Sequence, residues 1–275
     1  MKHRAQPWLG TLVEITIDDA LGEAELLACF NDAFAAIAEV HRLMSFHDPA
    51  SDVSRINRAA IGESVEIHAH TDEVIRCALS MASASDGLFN ISCAPMLVEW
   101  AYLPIPAGDT AVYLPCRPTL VREYGHRIRK LSAAWIDLGG IAKGYAVDLA
   151  IAALRRSGIQ SACVNAGGDL RVFGDVRYPI VIRNPERPTV PGLQIALRGE
   201  ALASSGIYFS RKRVDGREYS ALINGKNGQA ITAGLSVSVR APCCMLADAL
   251  TKVVMASADP AHPALSQFGA TAFII

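Results

Sequence analysis

At 275 residues, 51% hydrophobic and 19% charged with a formal net charge of -1, the chain has enough apolar content to bury a large core. It lacks both the polarity of a disordered segment and the basic surface of a nucleic-acid binder. Seven cysteines (Cys29, Cys77, Cys93, Cys116, Cys163, Cys243, Cys244), an odd number with no CxxC pair, argue against a disulfide framework or a zinc site.

Free thiols predict a reducing compartment. Residues Met1 to Gly10 carry Lys2 and Arg4 but no apolar run, so no export signal is read there and the chain as written is expected in the cytoplasm. A start trimmed of such a signal would place it in the periplasm instead. No window approaches the ~20 apolar residues of a membrane span.

In chain order, Leu12 to Ile17 is rich in β-branched residues and reads as a strand, and Gly22 to Met44 reads as a long helix. Leu26, Phe30, Phe34, Ile37, Val40 and Leu43 recur at steps of three and four and form its core face. A second helix is expected over Thr71 to Ala84, and the proline-rich stretch from Pro104 to Pro118 as a loop or a joint between subdomains. Trp135 to Leu138 reads as a short strand ahead of two glycines that open a helix over Gly144 to Ser157. Strands are then expected at Ala162–Asn165, Leu170–Phe173, Pro179–Arg183, Leu193–Leu197, Leu235–Val239 and Thr271–Ile275, with a late helix over Asp248 to Ala256. No internal repeat stands out, so one mixed α+β unit over residues 1–275 is the economical reading.

Three small-residue segments carry the chemistry. Asp137-Leu138-Gly139-Gly140-Ile141-Ala142-Lys143-Gly144-Tyr145-Ala146-Val147-Asp148 sets glycines, a lysine and two carboxylates around a helix start. Gly139 and Gly140 let backbone approach a ligand, the helix N–H groups favour anionic oxygen, and Lys143 supplies a point charge, so a pyrophosphate suits the turn. The segment is neither a Walker A loop nor a GxGxxG fingerprint, and a plain glycine turn with a solvated lysine accounts for it equally well. Asn165-Ala166-Gly167-Gly168-Asp169-Leu170 and Ala203-Ser204-Ser205-Gly206-Ile207-Tyr208 each read, taken singly, as a hairpin or bulge. Three such segments in one chain shift the balance towards a site.

Together with Gly10-Thr11, Ser54-Arg55-Ile56-Asn57, Gly87-Leu88-Phe89-Asn90-Ile91-Ser92 and Ala247-Asp248-Ala249-Leu250-Thr251, these segments stand in the order found in the ApbE family, which the chain resembles over nearly its whole length. DLGGIAKGYAVD is the most specific piece. The resemblance implies an α+β fold of two related, intimately packed subdomains with a flavin cleft between them. It also implies an FAD:protein FMN transferase, which moves FMN from FAD onto a threonine or serine hydroxyl of an acceptor flavoprotein and releases AMP. It places Asn57, Lys143, Asp148, Gly167, Gly168, Asp169, Ser205 and Gly206 at or near the FAD site, with Lys143 and Asp248 as catalytic groups. Magnesium is implied near the pyrophosphate, held by the Ala142 carbonyl and by side chains at the helix start, Asp248 and Thr251 among them. Hard oxygen ligands suit that ion, which neutralises charge as a phosphorus–oxygen bond breaks.

The chain departs from the family at several of these positions. Lys252 stands where a threonine usually follows the metal-binding aspartate by four residues; either Thr251 reaches the same volume, or Lys252 pairs with Asp248 and puts an ammonium where the metal would be. Ala221, Asn224 and Asn227 replace a histidine, an aspartate and a threonine of one family segment, and Asn90 replaces an aspartate. Proton acceptance then falls to Asp248, Asp148 or a metal-bound water. The alternatives are an FAD-binding or FAD-hydrolysing homologue without acceptor transfer, and a scaffold protein with an empty site. None of the seven histidines has metal-ligand spacing, and Cys243 and Cys244 read as small buried hydrophobes.

Overall fold

Val13, Ile15 and Ile17 alternate with more polar neighbours, and in the structure, a computed structural model, all three are fully buried on one side of a strand. The structure describes residues 1–107, 110–115, 117–183, 191–207 and 210–275; Cys116 and Tyr208, both singled out above, lie outside the described residues. The chain opens with β1 (Lys2–Trp8), β2 (Thr11–Ile17), α1 (Glu23–Met44), α2 (Asp52–Arg58), β3 (Ser64–Glu66), α3 (Ala69–Ala84) and α4 (Ala94–Glu99). There follow β4 (Leu120–Glu123), β5 (Arg127–Lys130), α5 (Ala142–Arg156), β6 (Ala162–Ala166), β7 (Asp169–Phe173), β8 (Tyr178–Arg183), β9 (Pro191–Leu197) and β10 (Ala201–Gly206). Two short hairpins, β11 (Lys212–Val214) with β12 (Arg217–Tyr219) and β13 (Ile223–Asn224) with β14 (Gln229–Ala230), precede β15 (Ser236–Ala241), α6 (Cys244–Ser257), α7 (Pro263–Gln267) and β16 (Thr271–Ile274).

Seven strands form one antiparallel sheet in the order β1-β2-β6-β7-β10-β15-β16. Its inner face carries the helices: α5 packs on β6 and β7, α6 on β10 and β15, and α1 lies over α5. This is the α+β arrangement the sequence predicts, with helices gathered on one face of an antiparallel sheet. All six apolar residues assigned to the core face of α1 are buried.

Period-two alternation sorts β7 between two environments. Leu170 and Val172 join a small outer cluster with Tyr178, Ile182, Leu197 and Leu202, while Asp169 and Arg171 point to the helices, where they meet Lys143 and Asp148. Two expectations are corrected. Trp135–Leu138 belongs to no strand, and Ala203 to Gly206 is not a turn but part of β10, inside the sheet. Lys2–Trp8, where the sequence suggests no element, forms β1. The described residues between 104 and 118 carry neither helix nor strand. Among the described residues no helix is long and apolar enough to cross a membrane.

Candidate active site

A cleft of about 950 Å³ runs over the end of the sheet where β6 turns into β7. Its volume lies within the range of small-molecule and cofactor sites. One side is apolar, from Leu170 and Leu202 on the outer sheet face and Ile180 and Ile182 on β8; the other carries Lys143, Lys252 and the turn Gly139–Gly140.

Gly167 and Gly168 line the cleft with φ of 66° and 108°, a left-handed backbone that side chains rarely adopt. A Cβ on Gly167 would also press into Thr11, with the Thr11 Cβ 3.1 Å away. The Gly168 N–H donates to Asn165 Oδ1 at 2.9 Å, which fixes the turn. Ser205 and Gly206, at the end of β10, complete this wall.

Below the cleft lies a cluster of four charges. Lys143, in the first turn of α5, bonds Asp169 Oδ2 on β7. Burial works against its ammonium, but Asp169 and Asp248 outweigh it and raise its pKa above the ordinary lysine value. Lys252 bonds Asp248 Oδ1 and reaches the Asp248 carbonyl at 3.1 Å. Asp248 Oδ2 accepts the Gly144 N–H at 3.0 Å. Burial pushes the Asp248 carboxyl up, yet Lys143 and Lys252 together hold it below the usual carboxylate range. Thr251 Oγ1 donates to the Asp248 carbonyl at 2.7 Å and receives the Ser205 hydroxyl at 2.7 Å.

The residues expected at the site therefore fall into three groups. Gly139, Gly140, Lys143, Gly167, Gly168, Ser205 and Gly206 line the cleft. Asp169, Asp248 and Thr251 are buried behind it and act on it through the two lysines and Ser205. Asn57, Asp148 and Ala142 do not line it. The buried Asn57 amide donates to the Ile136 carbonyl at 2.9 Å and accepts the Ile136 N–H at 2.7 Å, which ties α2 to the strand-like approach to Gly139. Asp148 caps the start of α6, accepting the Cys244 and Met245 N–H groups at 3.0 and 2.9 Å while Arg171 pairs with it at 2.6 Å. Ala142 is buried as the first residue of α5.

Sequence reasoning passed over Asp137 as a lining group. It borders the cleft, and burial pushes its carboxyl up against hydrogen bonds from the Gly139 and Leu138 N–H groups. Its place beside the glycine pair was the available signal.

The substituted segment holds nothing in reserve. Ala221 lines the cleft without a functional group. Asn224 Oδ1 accepts the Lys226 N–H at 3.0 Å and Asn227 Oδ1 the Gln229 N–H at 2.9 Å, so both amides serve the β13–β14 turn. Asn90 Oδ1 likewise accepts the Ser92 N–H at 2.8 Å. Among the described residues no histidine lines the cleft. Cys93 does, but burial pushes its thiol up to about 12. Cys244 is buried and its pKa is likewise raised by burial, in keeping with the reading of a small hydrophobe.

Magnesium finds a poor donor set here. Among the described residues no three His, Cys, Asp or Glu side chains stand together as ligands. Both Asp248 carboxylate oxygens are engaged, the Thr251 hydroxyl is committed twice, and an ammonium sits on Oδ1. The residues as placed do not fit the ion.

The sequence matches the ApbE family over residues 9–274. A protein of Vibrio cholerae named FAD:protein FMN transferase is 26% identical over 280 residues, covering 96% of this chain and 84% of that protein. A protein of the same name from Rhodobacter capsulatus is 29% identical over 96% of this chain, which spans 53% of its length. Among solved structures, the flavinyl transferase ApbE of Pseudomonas stutzeri in its apo form superposes with a TM-score of 0.82 at 25% identity, over 99% of this chain and 90% of that one. The ApbE protein of Thermotoga maritima gives 0.82 at 25% identity, over 100% and 94%.

Proposed function

The chain belongs to the ApbE family, and from that premise we propose that it is an FAD:protein FMN transferase whose acceptor residue is a threonine or serine of another protein. The whole chain works as one unit. The observation that carries the proposal is the meeting, at one end of the cleft, of the Gly139–Gly140 and Gly167–Gly168 turns with Lys143 on the first turn of α5. Close backbone, a helix start and a fixed cation form a pyrophosphate seat. The apolar end beyond Leu170 and Ile180 suits an aromatic ring system.

In the reaction, the acceptor hydroxyl oxygen bonds to the phosphorus on the FMN side. The bond from that phosphorus to the bridging oxygen breaks, AMP leaves with that oxygen, and the hydroxyl proton is released. Asp248 and Asp148, the expected acceptors of that proton, are both committed to helix N–H groups. Of the three acids only Asp137 borders the cleft, and the role passes to it. No step is routed through magnesium, because the donor set does not fit it. The six described cysteines are unpaired thiols, which supports the cytoplasmic, reducing compartment.

Incubation of the protein with FAD and a threonine-bearing acceptor, read by mass spectrometry and by AMP release, tests the proposal. An FMN adduct on the acceptor, matched by AMP, is expected. The substituted 221–227 segment favours a second reading, hydrolysis of FAD to FMN and AMP without an acceptor; AMP release with no adduct decides for it. Absence of any flavin binding overturns both and leaves a scaffold role.

A further inference from the structure

Lys252 lines the cleft four residues after Asp248, on the same face of α6. Its ammonium bonds one Asp248 carboxylate oxygen and the Asp248 carbonyl, while the second carboxylate oxygen takes the Gly144 N–H. A divalent ion on Asp248 would have to displace Lys252 and compete for a side chain with no solvent exposure. The charges already balance: Lys143 and Lys252 face Asp169 and Asp248. Two further positive charges among two ammonium groups that two carboxylates already match meet Coulomb repulsion in a site of low dielectric. Lysine itself offers one fixed charge and three N–H donors to anionic oxygen, and its partial exposure of 15% leaves it open to the cleft.

We propose that Lys252 takes the place of a divalent cation, so that this chain holds the FAD pyrophosphate with two ammonium groups and without magnesium. The proposal rests on the FMN-transfer reading and adds to it the identity of the neutralising charge.

The test is a Mn²⁺ titration of chelator-treated protein, with free ion followed by electron paramagnetic resonance, in the absence and presence of FAD. Flavin binding is followed by fluorescence in the same samples. The wild-type chain is expected to take up no Mn²⁺ below ~1 mM in either case, and to bind FAD with the same affinity with or without the ion. Lys252→Thr, which frees Asp248 Oδ1, is expected to take up one ion per chain with FAD and to bind FAD roughly tenfold more tightly when Mn²⁺ is present. Uptake of one ion per wild-type chain, with a tenfold gain in FAD affinity, overturns the proposal and leaves FMN transfer standing. Failure of FAD to bind in every sample sinks the transfer reading instead, and with it this proposal. The wild-type titration decides the matter whether or not the variant folds.

Discussion

Helices α5 and α6 each lend an aspartate to the other's first turn, and the two cross-links do different work. Asp148 of α5 caps α6 through the Cys244 and Met245 N–H groups, with Arg171 as its counter-ion. Asp248 of α6 accepts the Gly144 N–H of α5, and its counter-ions are the two lysines that border the cleft. The bonding pattern is nearly the same in both. What separates a structural clasp from part of a binding site is where the counter-ion lies: Arg171 does not line the cleft, while Lys143 and Lys252 do. The lesson is that a buried carboxylate in a conspicuous motif is best judged by its cationic partner.

The largest effect is expected from Asp248→Asn, which leaves two ammonium groups with one carboxylate. Loss of a buried charge partner costs about 3–5 kcal/mol. Urea unfolding should show the loss, and FAD binding and FMN transfer should fall with it. Retention of full FAD affinity would place Asp248 with Asp148 as a clasp only.

Next in size is Gly144→Ala. A Cβ there would run into the Cys244 carbonyl and stand 2.8 Å from the Met245 nitrogen. Forcing the helices apart should cost about 1–3 kcal/mol and weaken both cross-links at once, so stability and FAD affinity are expected to drop together.

Asp148→Asn should cost about 1 kcal/mol through the weakened cap, with FAD affinity and transfer rate unchanged. A large loss of transfer in a well-folded variant would erase the distinction drawn above.

The smallest effect is on pH dependence. The folded Asp248 carboxyl lies below its ordinary value, so its stabilisation is present above the unfolded carboxylate pKa near ~3.9 and is lost as pH falls through the folded value. The stability gap between wild type and Asp248→Asn, measured by urea unfolding from pH 7 downwards, should be constant to about pH 4.5 and close below it.

Much of this was legible in the sequence. The 3.6-residue spacing of Leu26 to Leu43 gave α1, and DLGGIAKGYAVD marked the start of α5 and one of the two lysines of the cleft. The pairing of Lys252 with Asp248 was one of two readings of a four-residue step. Two strands of the seven-stranded sheet were not legible, for opposite reasons. In β1, Lys2, His3 and Arg4 lie on an exposed edge, where charge discourages further pairing and no apolar face is needed. In β10, Ala201, Ala203 and Ser205 are small because α6 packs closely on them, so a strand inside the sheet imitates a turn in composition. The roles of Asn57 and Asp148 were hidden as well. Each bonds backbone remote in the chain, Ile136 in one case and Cys244 in the other, and no local pattern announces such a partner.

The order of the sheet also bears on how the protein is made. Strand β2 pairs on one side with β1 and on the other with β6, in the register Ile17 to Ala162. While the ribosome is still adding the residues between them, the β1–β2 hairpin has α1 to pack against but no second strand neighbour. At ordinary elongation rates that interval lasts on the order of 10 s. The nascent chain thus carries an unfinished sheet edge from the completion of β2 until β6 is made, an open template for another strand.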